Sequence, residues 1–368
     1  MTRVHNFSAG PATMPVDVLA ELAKEMPEYR SAGQSVIEMS HRSPDYEAIH
    51  RDAVDTLRRI WAIPDEFSVL LLQGGATLQF SMVPMNLLGS SSVGNTDGAG
   101  HAGYVLCGSW ADKAYKDALL VGNAYEAWSG ADSDFGRMPT PDEVNVKADS
   151  AYLHVTSNET INGIRMTQFD GFGARLVADM SSDMLSRPID WSLFDLVYGG
   201  AQKNLGPSGV TIVVVRSSLL ENIPTSLPAY LRYDLHAKAD SLANTPPTFS
   251  VWAVGKVLHW IENNGGVEGM EQRAAERSGR IYHTIDTLSD FYVSPVDPSY
   301  RSHTNIVFRI TNTELEGVFL TEANEAGLIN LKGHRAVGGI RASIYNGMAD
   351  ESVDALAAFM RAFAERNR

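Results

Sequence analysis

Hydrophobic positions follow two different spacings along the first two thirds of the chain. After Ser43-Pro44, apolar residues recur at helical spacing over residues 49–60 and predict an amphipathic helix that begins at the proline. Short apolar runs of strand length lie at residues 67–72, 103–107, 151–156, 176–180, 196–198 and 210–215. Strands that alternate with helices are typical of βαβ units around a mostly parallel sheet, and the last two runs predict a hairpin. The pattern therefore predicts an α/β fold.

The pattern changes after residue 247. Two long helices are predicted at residues 250–263 and 267–288, and from residue 305 onwards the pattern is that of a compact α+β unit. This change predicts a domain boundary near Gly265.

Composition and charge narrow the classes of partner. The chain has 368 residues, 44% of them hydrophobic and 20% charged, as in a folded water-soluble protein. Its formal net charge of −14 disfavours a phosphate backbone or an anionic lipid surface, so we expect no nucleic-acid and no membrane partner. The single cysteine, Cys107, offers no internal disulfide, and we expect a cytoplasmic location. Residues 89–103 are rich in glycine and serine, which predicts a surface loop.

A glycine turn is the first candidate for chemistry. Gly74-Gly75-Ala76-Thr77 lies between the strand at 67–72 and a predicted helix. Small residues let backbone amides approach an anion, and a helix start adds the positive end of its dipole, so the turn suits a phosphate. Plain turn chemistry is the alternative, because the segment matches neither a P-loop nor the dinucleotide-binding glycine motif.

A lysine and a carboxylate form the second candidate. Lys203 lies in a glycine-flanked segment just past the strand at 196–198, and Asp179 lies near the end of the run at 176–180. A confined amine can attack an aldehyde, and a carboxylate at a neighbouring strand end can pair with the ring nitrogen of a lysine-bound pyridoxal phosphate. The alternatives are a solvated loop lysine and an aspartate that caps the next segment. We expect no metal, because no Cys/His cluster has ligand spacing.

These residues belong to a longer series of motifs, through which the sequence resembles the class V aminotransferases, pyridoxal-phosphate enzymes of fold type I. The matching segments follow one another at residues 7–12, 39–42, 157–161, 186–190, 201–204, 244–248, 332–335 and 341–346. The resemblance implies a mostly parallel seven-stranded sheet in a large domain of residues 16–262. It also implies a smaller α+β domain of residues 1–15 and 263–368, and pyridoxal 5'-phosphate as the cofactor.

The resemblance assigns cofactor contacts residue by residue. Lys203 is implied to bind the cofactor's aldehyde, Asp179 to face the pyridine nitrogen, and Trp110 to stack on the ring. The residues implied to contact the phosphate or the ring hydroxyl side are Ala76, Thr77, Gln202 and Thr160. Two further phosphate contacts are implied to come from a second subunit, namely Asn244 and Thr245. A homodimer with shared active sites follows from the resemblance.

Two anion clamps for the substrates are also implied. Arg341 is implied to bind the α-carboxylate. The residues implied to hold the distal anion or to touch glutamate are His41, Arg42 and Ser8, with His334 and Arg335 from the partner chain. Some family members have an arginine at the position of Thr77, and that charge is absent here. The implied reaction is ping-pong transfer from L-glutamate to 3-phosphohydroxypyruvate, giving 2-oxoglutarate and O-phospho-L-serine for L-serine biosynthesis.

Several alternatives stay open at this point. Another class V enzyme, such as a different aminotransferase, a lyase or a desulfurase, would share the cofactor-binding residues. A desulfurase requires a catalytic cysteine, and Cys107 lies in an apolar strand that better suits a structural role. A non-catalytic nucleotide-binding α/β protein is a further alternative. The histidine–arginine pairs at 41–42 and 334–335 have plain interpretations too, as a polar helix cap and a solvated loop.

Overall fold

The computed structural model describes residues 3–88 and 100–368. The α-helices within these ranges are α1 (Val16–Glu25), α2 (Pro44–Ile60), α3 (Gly75–Leu87), α4 (Ser109–Val121), α5 (Tyr233–Lys238), α6 (Thr248–Asn263), α7 (Gly266–Thr287), α8 (Leu315–Glu325) and α9 (Asp350–Asn367). The strands are β1 (His5–Asn6), β2 (Phe67–Leu72), β3 (His101–Leu106), β4 (Ala124–Ser129), β5 (Ser150–Thr156), β6 (Asn158–Glu159), β7 (Ile164–Arg165), β8 (Leu176–Asp179), β9 (Phe194–Gly200), β10 (Thr211–Arg216), β11 (Tyr292–Val293), β12 (Asn305–Ile310), β13 (Leu328–Ile329) and β14 (Ile340–Ser343). Of the loop predicted at 89–103, residues 89–99 lie outside the described ranges, and residues 101–103 belong to β3.

The central sheet has seven strands in the order β2-β10-β9-β8-β5-β3-β4. Strand β10 runs antiparallel to both of its neighbours, and the other neighbouring pairs are parallel. The predicted α/β fold with a mostly parallel sheet is confirmed, and so is the hairpin, which joins β9 to β10. Because the parallel strands share one direction, the carboxyl ends of β2, β3, β5, β8 and β9 lie along one edge of the sheet, where α/β proteins bind ligands.

Helices cover both faces of this sheet. On one face, alternate strand residues such as Leu153 and Ile212 pack against α1, α2 and α6. On the other face, the intervening residues, such as Tyr152 and Val213, pack against α3, α4 and α5. Neighbouring side chains of a strand point to opposite faces, so a sheet that is buried on both sides requires continuous apolar runs like those in the sequence. None of the helices in the described ranges is long and apolar enough to cross a membrane.

A second hydrophobic core lies in the last third of the chain and gathers β11, β12, β14, α8 and α9. Phe7, which follows β1, packs into this core, and β1 pairs in parallel with β13. Helix α7 contributes to both cores, since Val267 packs in the first and Ile281 in the second. The division of the chain at residue 262 stays a prediction, and α7 is the element that connects the two cores.

Candidate active site

The sheet edge at which the parallel strands end opens into a cavity of about 320 Å³. Asp179 is the last residue of β8, Lys203 lies in the turn between β9 and β10, and the glycine turn follows β2. The residues predicted from the sequence that line this cavity are Ala76, Thr77, Trp110, Thr160, Asp179, Gln202, Lys203, His334 and Arg341. The topology thus brings together residues that are far apart along the chain.

Lys203 is half-buried at the cavity. Its Nζ donates a hydrogen bond to Oγ1 of Thr160 at 3.0 Å and lies 6.0 Å from the centroid of the Trp110 ring. The backbone of the turn is held from outside, because the amide of Ala12 donates to the carbonyl oxygen of Gln202 at 2.9 Å. The amine is therefore confined by its neighbours rather than extended into solvent.

Asp179 is a buried carboxylate at the carboxyl end of a central strand. One of its oxygens accepts a hydrogen bond from the Ser181 amide at 2.8 Å, so the aspartate does cap the following segment while it lines the cavity. Burial raises the pKa of Asp179, whereas the hydrogen bond from Ser181 and the positive charge of Lys203 lower it. A cationic group in the cavity would therefore stabilise the ionised carboxylate.

The glycine turn forms the N-terminus of helix α3. Gly74 has a φ of +93° and Gly75 a φ of +67°, conformations that favour glycine. A Cβ at Gly74 would also lie 2.7 Å from Cβ of Leu78, so the first position has no room for a side chain. Gly75, Ala76 and Thr77 line the cavity. The unpaired amides of the first helical turn therefore lie at the cavity and suit an anion such as a phosphate.

Trp110 lies in the first turn of α4 and is half-buried at the cavity wall. The ring nitrogen Nε1 is buried and has no hydrogen-bond partner among residues 3–88 and 100–368. Nζ of Lys113, one helical turn later, lies 4.0 Å from the ring centroid. The indole therefore presents a flat apolar surface whose surroundings include two ammonium groups, those of Lys113 and Lys203.

Arg341 and His334 reach the cavity from the last third of the chain. Arg341, in β14, lines the cavity and makes one long hydrogen bond, from Nη1 to the carbonyl oxygen of Thr160 at 3.5 Å. Burial lowers the pKa of Arg341. Burial also lowers the pKa of His334, and the charges of Arg341, Lys113 and Arg335 lower it further. An anion that entered here would meet a guanidinium with spare donors.

The remaining predicted residues do not line this cavity. They are Ser8, His41, Arg42, Asn244, Thr245 and Arg335. Arg42 lines a second cavity of about 660 Å³, together with Lys238 and Asp240, and Gln73 Nε2 donates to the carbonyl oxygen of Thr245 at 3.0 Å. The resemblance implies that His334 comes from the partner chain, whereas the structure places His334 at the cavity of its own chain.

Glu159 and Lys113 are site residues to which the sequence assigned no role. Glu159 lies in the matching segment 157–161 and accepts hydrogen bonds from the amides of Trp110 and Ala111. The motif pointed to this segment but could not reveal the contact, because both partners are backbone amides distant in sequence. Lys113 was detectable only as the residue one helical turn after Trp110.

Comparisons with known proteins agree with this site. The family model for Aminotransferase class-V matches residues 4–356. A curated phosphoserine aminotransferase from Geobacillus kaustophilus (strain HTA426) is 46% identical over 366 residues, which cover 100% of this chain and 99% of the relative. The phosphoserine aminotransferase of Bacillus subtilis (strain 168) is 45% identical over 367 residues, which cover 100% of both chains.

Solved structures give the same result. The phosphoserine aminotransferase from Bacillus circulans subsp. alkalophilus superposes with a TM-score of 0.95 at 45% identity, covering 100% of this chain and 99% of that one. The PLP-bound phosphoserine aminotransferase from Trichomonas vaginalis has a TM-score of 0.91 at 33% identity, with 98% and 100% covered. The similarity extends over whole chains rather than one motif. The chain therefore belongs to the class V aminotransferases, within the phosphoserine aminotransferase family.

Proposed function

We propose that the chain transfers the amino group of L-glutamate to 3-phosphohydroxypyruvate with pyridoxal 5'-phosphate as cofactor, giving 2-oxoglutarate and O-phospho-L-serine. One observation carries the proposal: the amine of Lys203 and the buried carboxylate of Asp179 meet at one cavity with the N-terminus of α3. Membership of the phosphoserine aminotransferase family supports the choice of substrates. A cytoplasmic location belongs to the same proposal and rests on the single free cysteine.

The residues at the cavity fit this cofactor. The orphaned Nε1 of Trp110 and the apolar face of its ring suit a planar ligand with polar substituents. Lys203 would hold the aldehyde carbon, Asp179 the pyridine nitrogen and the first turn of α3 the phosphate, with Thr160 and Gln202 alongside. When bound, pyridoxal phosphate withdraws the electron pair that remains when the Cα–H bond of the amino donor breaks.

Lys203 is the group proposed to move the proton. As a free amine, Lys203 would take the proton from Cα of the amino donor as a general base, and as an ammonium it would then give that proton to the former aldehyde carbon of the cofactor as a general acid. The hydroxyl of Thr160 accepts a hydrogen bond from Nζ of Lys203 at 3.0 Å and so fixes the position of the amine. Asp179 is buried and would favour a proton on the ring nitrogen, because two opposite charges attract strongly where water is excluded.

Arg341 is proposed to bind the α-carboxylate that both substrates carry. Its guanidinium can form two parallel hydrogen bonds with a carboxylate, which fixes the orientation of Cα as well as its position. A buried polar contact supports the placement of β14, since Asn305 Nδ2 donates to Oγ of Ser343 at 3.0 Å. Asn158 of β6 donates in turn to Oδ1 of Asn305 at 2.8 Å, which joins β14 to the segment that holds Thr160.

The distal anion is proposed to meet cations from two subunits of a homodimer. His334 lies at the cavity of its own chain, and the exposed Arg335 follows it. Arg42 lies instead beside the segment that leads to Asn244 and Thr245, at the second cavity. Arg42 lines a cavity other than the one that Lys203 lines, so we propose that the surface around Arg42 docks against the active site of a second copy. Each copy would then complete the other's phosphate and distal-anion contacts.

A desulfurase is the weaker alternative. Cys107 is fully buried, and its Sγ lies 3.6 Å from the carbonyl oxygen of Thr156. Burial raises the pKa of the Cys107 thiol, which disfavours the reactive thiolate. The thiol is therefore suited to packing beneath the site rather than to attack on a substrate.

Two measurements test the proposed function. Purified protein supplied with pyridoxal phosphate is expected to release about one equivalent of 2-oxoglutarate per site from glutamate alone, and to turn over repeatedly only when 3-phosphohydroxypyruvate is present. Borohydride reduction followed by peptide mapping is expected to find the cofactor on Lys203. Lys203→Ala should lower the rate about 10³-fold or more, because it removes the acid–base group, whereas Lys116→Ala should leave the rate unchanged. Lys116 is an exposed lysine paired with Asp112, so it controls for the loss of a charge.

A protein that binds the cofactor but transfers no amino group to 3-phosphohydroxypyruvate would contradict the substrate assignment. A reduced cofactor attached to a lysine other than Lys203, or to none, would contradict the site itself.

A further inference from the structure

A fully buried carboxylate lies directly behind the cavity wall. Glu159 ends β6 and precedes Thr160, whose hydroxyl accepts from Lys203. Its Oε2 accepts hydrogen bonds from the amide of Trp110 at 3.1 Å and from the amide of Ala111 at 3.4 Å, and its Oε1 lies 3.3 Å from the amide of Trp110. These amides belong to the first turn of α4, where no intrahelical acceptor exists. Glu159 thus caps the helix that carries Trp110.

The backbone opposite Glu159 is shaped to admit this side chain. A Cβ at Gly108 would lie 2.7 Å from Cδ of Glu159 and closer still to Cγ. The φ of Gly108 is 163°, an extended conformation that any residue adopts, so space rather than backbone strain requires glycine here. Gly108 and Glu159 therefore form a matched pair at the start of α4.

Burial disfavours the ionised form of Glu159, and the amides at the N-terminus of α4 offset this effect only in part. Burial raises the pKa of Glu159 to about 7, while the amides of Trp110 and Ala111 and the charge of Lys203 lower it and Asp179 raises it. None of the salt bridges in residues 3–88 and 100–368 includes Glu159. A helix N-terminus favours a carboxylate, which explains why the group is tolerated. The cost of its burial points to a role beyond filling space.

We propose that Glu159 is a positioning residue that holds the Trp110 ring in place for the cofactor. It fixes the backbone of Trp110, while Thr160, the next residue, fixes Nζ of Lys203. Two consecutive residues thereby set both sides of the space between the indole and the amine, where Nζ lies 6.0 Å from the ring centroid. This inference rests on the proposed function, because it assigns the space to pyridoxal phosphate.

The experiment measures binding of pyridoxal phosphate to the purified chain. Glu159→Gln keeps the size of the side chain but replaces one acceptor oxygen with an NH₂ group that cannot accept from an amide. We expect this variant to weaken cofactor binding by about tenfold or more. We also expect it to change the circular dichroism of the bound cofactor, because the Trp110 ring that stacks on the cofactor moves. Glu143→Gln is the matched control, since Glu143 is an exposed carboxylate that accepts from the Thr140 amide at 2.8 Å. It should change neither property.

A double-mutant cycle separates positioning from general stability. In a Trp110→Ala background, Glu159→Gln is expected to have little further effect on cofactor binding, because the residue acts through the ring. If the two losses add, or if Glu159→Gln binds the cofactor with unchanged affinity and dichroism, the inference is wrong.

A second variant covers the case in which Glu159→Gln does not fold. Glu159→Asp keeps the charge and withdraws it by one methylene, so we expect weaker cofactor binding together with faster hydrogen exchange in a peptide spanning residues 108–114. Unchanged binding by this variant would overturn the inference. The proposed function fails separately, since it fails when the unmodified chain does not bind pyridoxal phosphate.

Discussion

Gly108 and Glu159 meet at the start of helix α4, where the glycine leaves the space that the carboxylate fills. Neither residue touches the cavity in the way that Lys203 or Asp179 does. Their contact nevertheless sets the direction of the first helical turn, and with it the side chain of Trp110. The absence of a Cβ at Gly108 thus determines how the Trp110 side chain is oriented at the site.

Gly108→Ala is expected to displace the Glu159 carboxylate and to lower the free energy of unfolding by about 1–3 kcal/mol, as overpacking does in other buried sites. Cofactor binding should weaken with it. Gly279→Ala is the matched control, because a Cβ at Gly279, inside α7, meets nothing within 4 Å. That variant should stabilise the protein by about 1 kcal/mol through helix propensity. Urea denaturation of both variants checks the pair, and equal effects would contradict the steric argument.

Some site residues could be predicted from the sequence and others could not, for physical reasons. Lys203 and Asp179 each stand beside an apolar run, and parallel strand ends meet at one edge, so their proximity follows from the pattern. Glu159 binds backbone amides, which leave no trace in the residue types around it. His334 shows a different limit, because a local motif does not say whether a residue serves its own chain or a partner.

The accuracy with which the hydrophobic pattern predicts a strand or helix depends on how that element is buried. The sequence does not predict β4, because Ala124–Ser129 lies at the edge of the sheet, has β3 as its one partner among the described strands, and buries only Ala127 of its six residues. By contrast, β2 and α2 are predicted to within a residue, since both faces of the strand are covered and the helix begins at a serine cap with proline. A strand that is buried on both faces has a continuous apolar run that the sequence reveals, whereas a partly exposed edge strand such as β4 has none.

Strands β3, β5 and β9 also carry a buried polar cluster under the site. The ring of His154 stacks on Tyr104 with centroids 4.8 Å apart, and Nε2 of His154 lies 2.9 Å from the hydroxyl of Tyr198. Burial lowers the pKa of His154 to about 3. The unfolded chain, with a histidine pKa of about 6.5, binds this proton more readily, so stability is full above about pH 6.5 and falls as the pH falls.

His154→Gln removes that titration while keeping a hydrogen-bonding side chain. Between pH 7.5 and pH 5, we expect the unmodified protein to lose about 2 kcal/mol more of its free energy of unfolding than this variant does. Urea denaturation at the two pH values measures the difference. His283→Gln, at an exposed position of α7, should lose as much as the unmodified protein. Equal losses in all three proteins would mean that His154 is not held neutral by burial.

Residues 3–88 and 100–368 form hydrophobic clusters on both faces of the central sheet and a further cluster in the last third of the chain, and the cavity takes residues from the sheet and from that last third. Lys203 and Asp179 come from the central sheet, while Arg341 comes from β14 in the second core. Buried polar contacts lock the two parts together, among them the donation from the backbone amide of Asn346 to Oδ1 of Asn204 at 3.0 Å. The proposed homodimer would add residues of a second copy, including Arg42, to the same cavity.

Heterodimers test the sharing of sites. A dimer of one Lys203→Ala chain and one Arg42→Ala chain should keep about half of the activity, because one of its two sites receives both intact residues. A dimer of Lys203→Ala with Arg341→Ala should be inactive, since both residues serve their own chain. Co-expression with two affinity tags allows each heterodimer to be isolated and assayed. An inactive first heterodimer, or failure to isolate any dimer, would contradict the shared site.

The pairing of β1 with β13 has a consequence for synthesis on the ribosome. The segment after β1 reaches the Lys203 turn through Ala12, and β1 itself pairs with β13, a strand near the other end of the sequence. A nascent chain therefore carries its earliest residues without a docking partner until β13 has emerged. Truncated products of interrupted translation that end between Lys203 and β13 would contain Lys203 and Asp179 but would lack the C-terminal residues that complete the cofactor cavity.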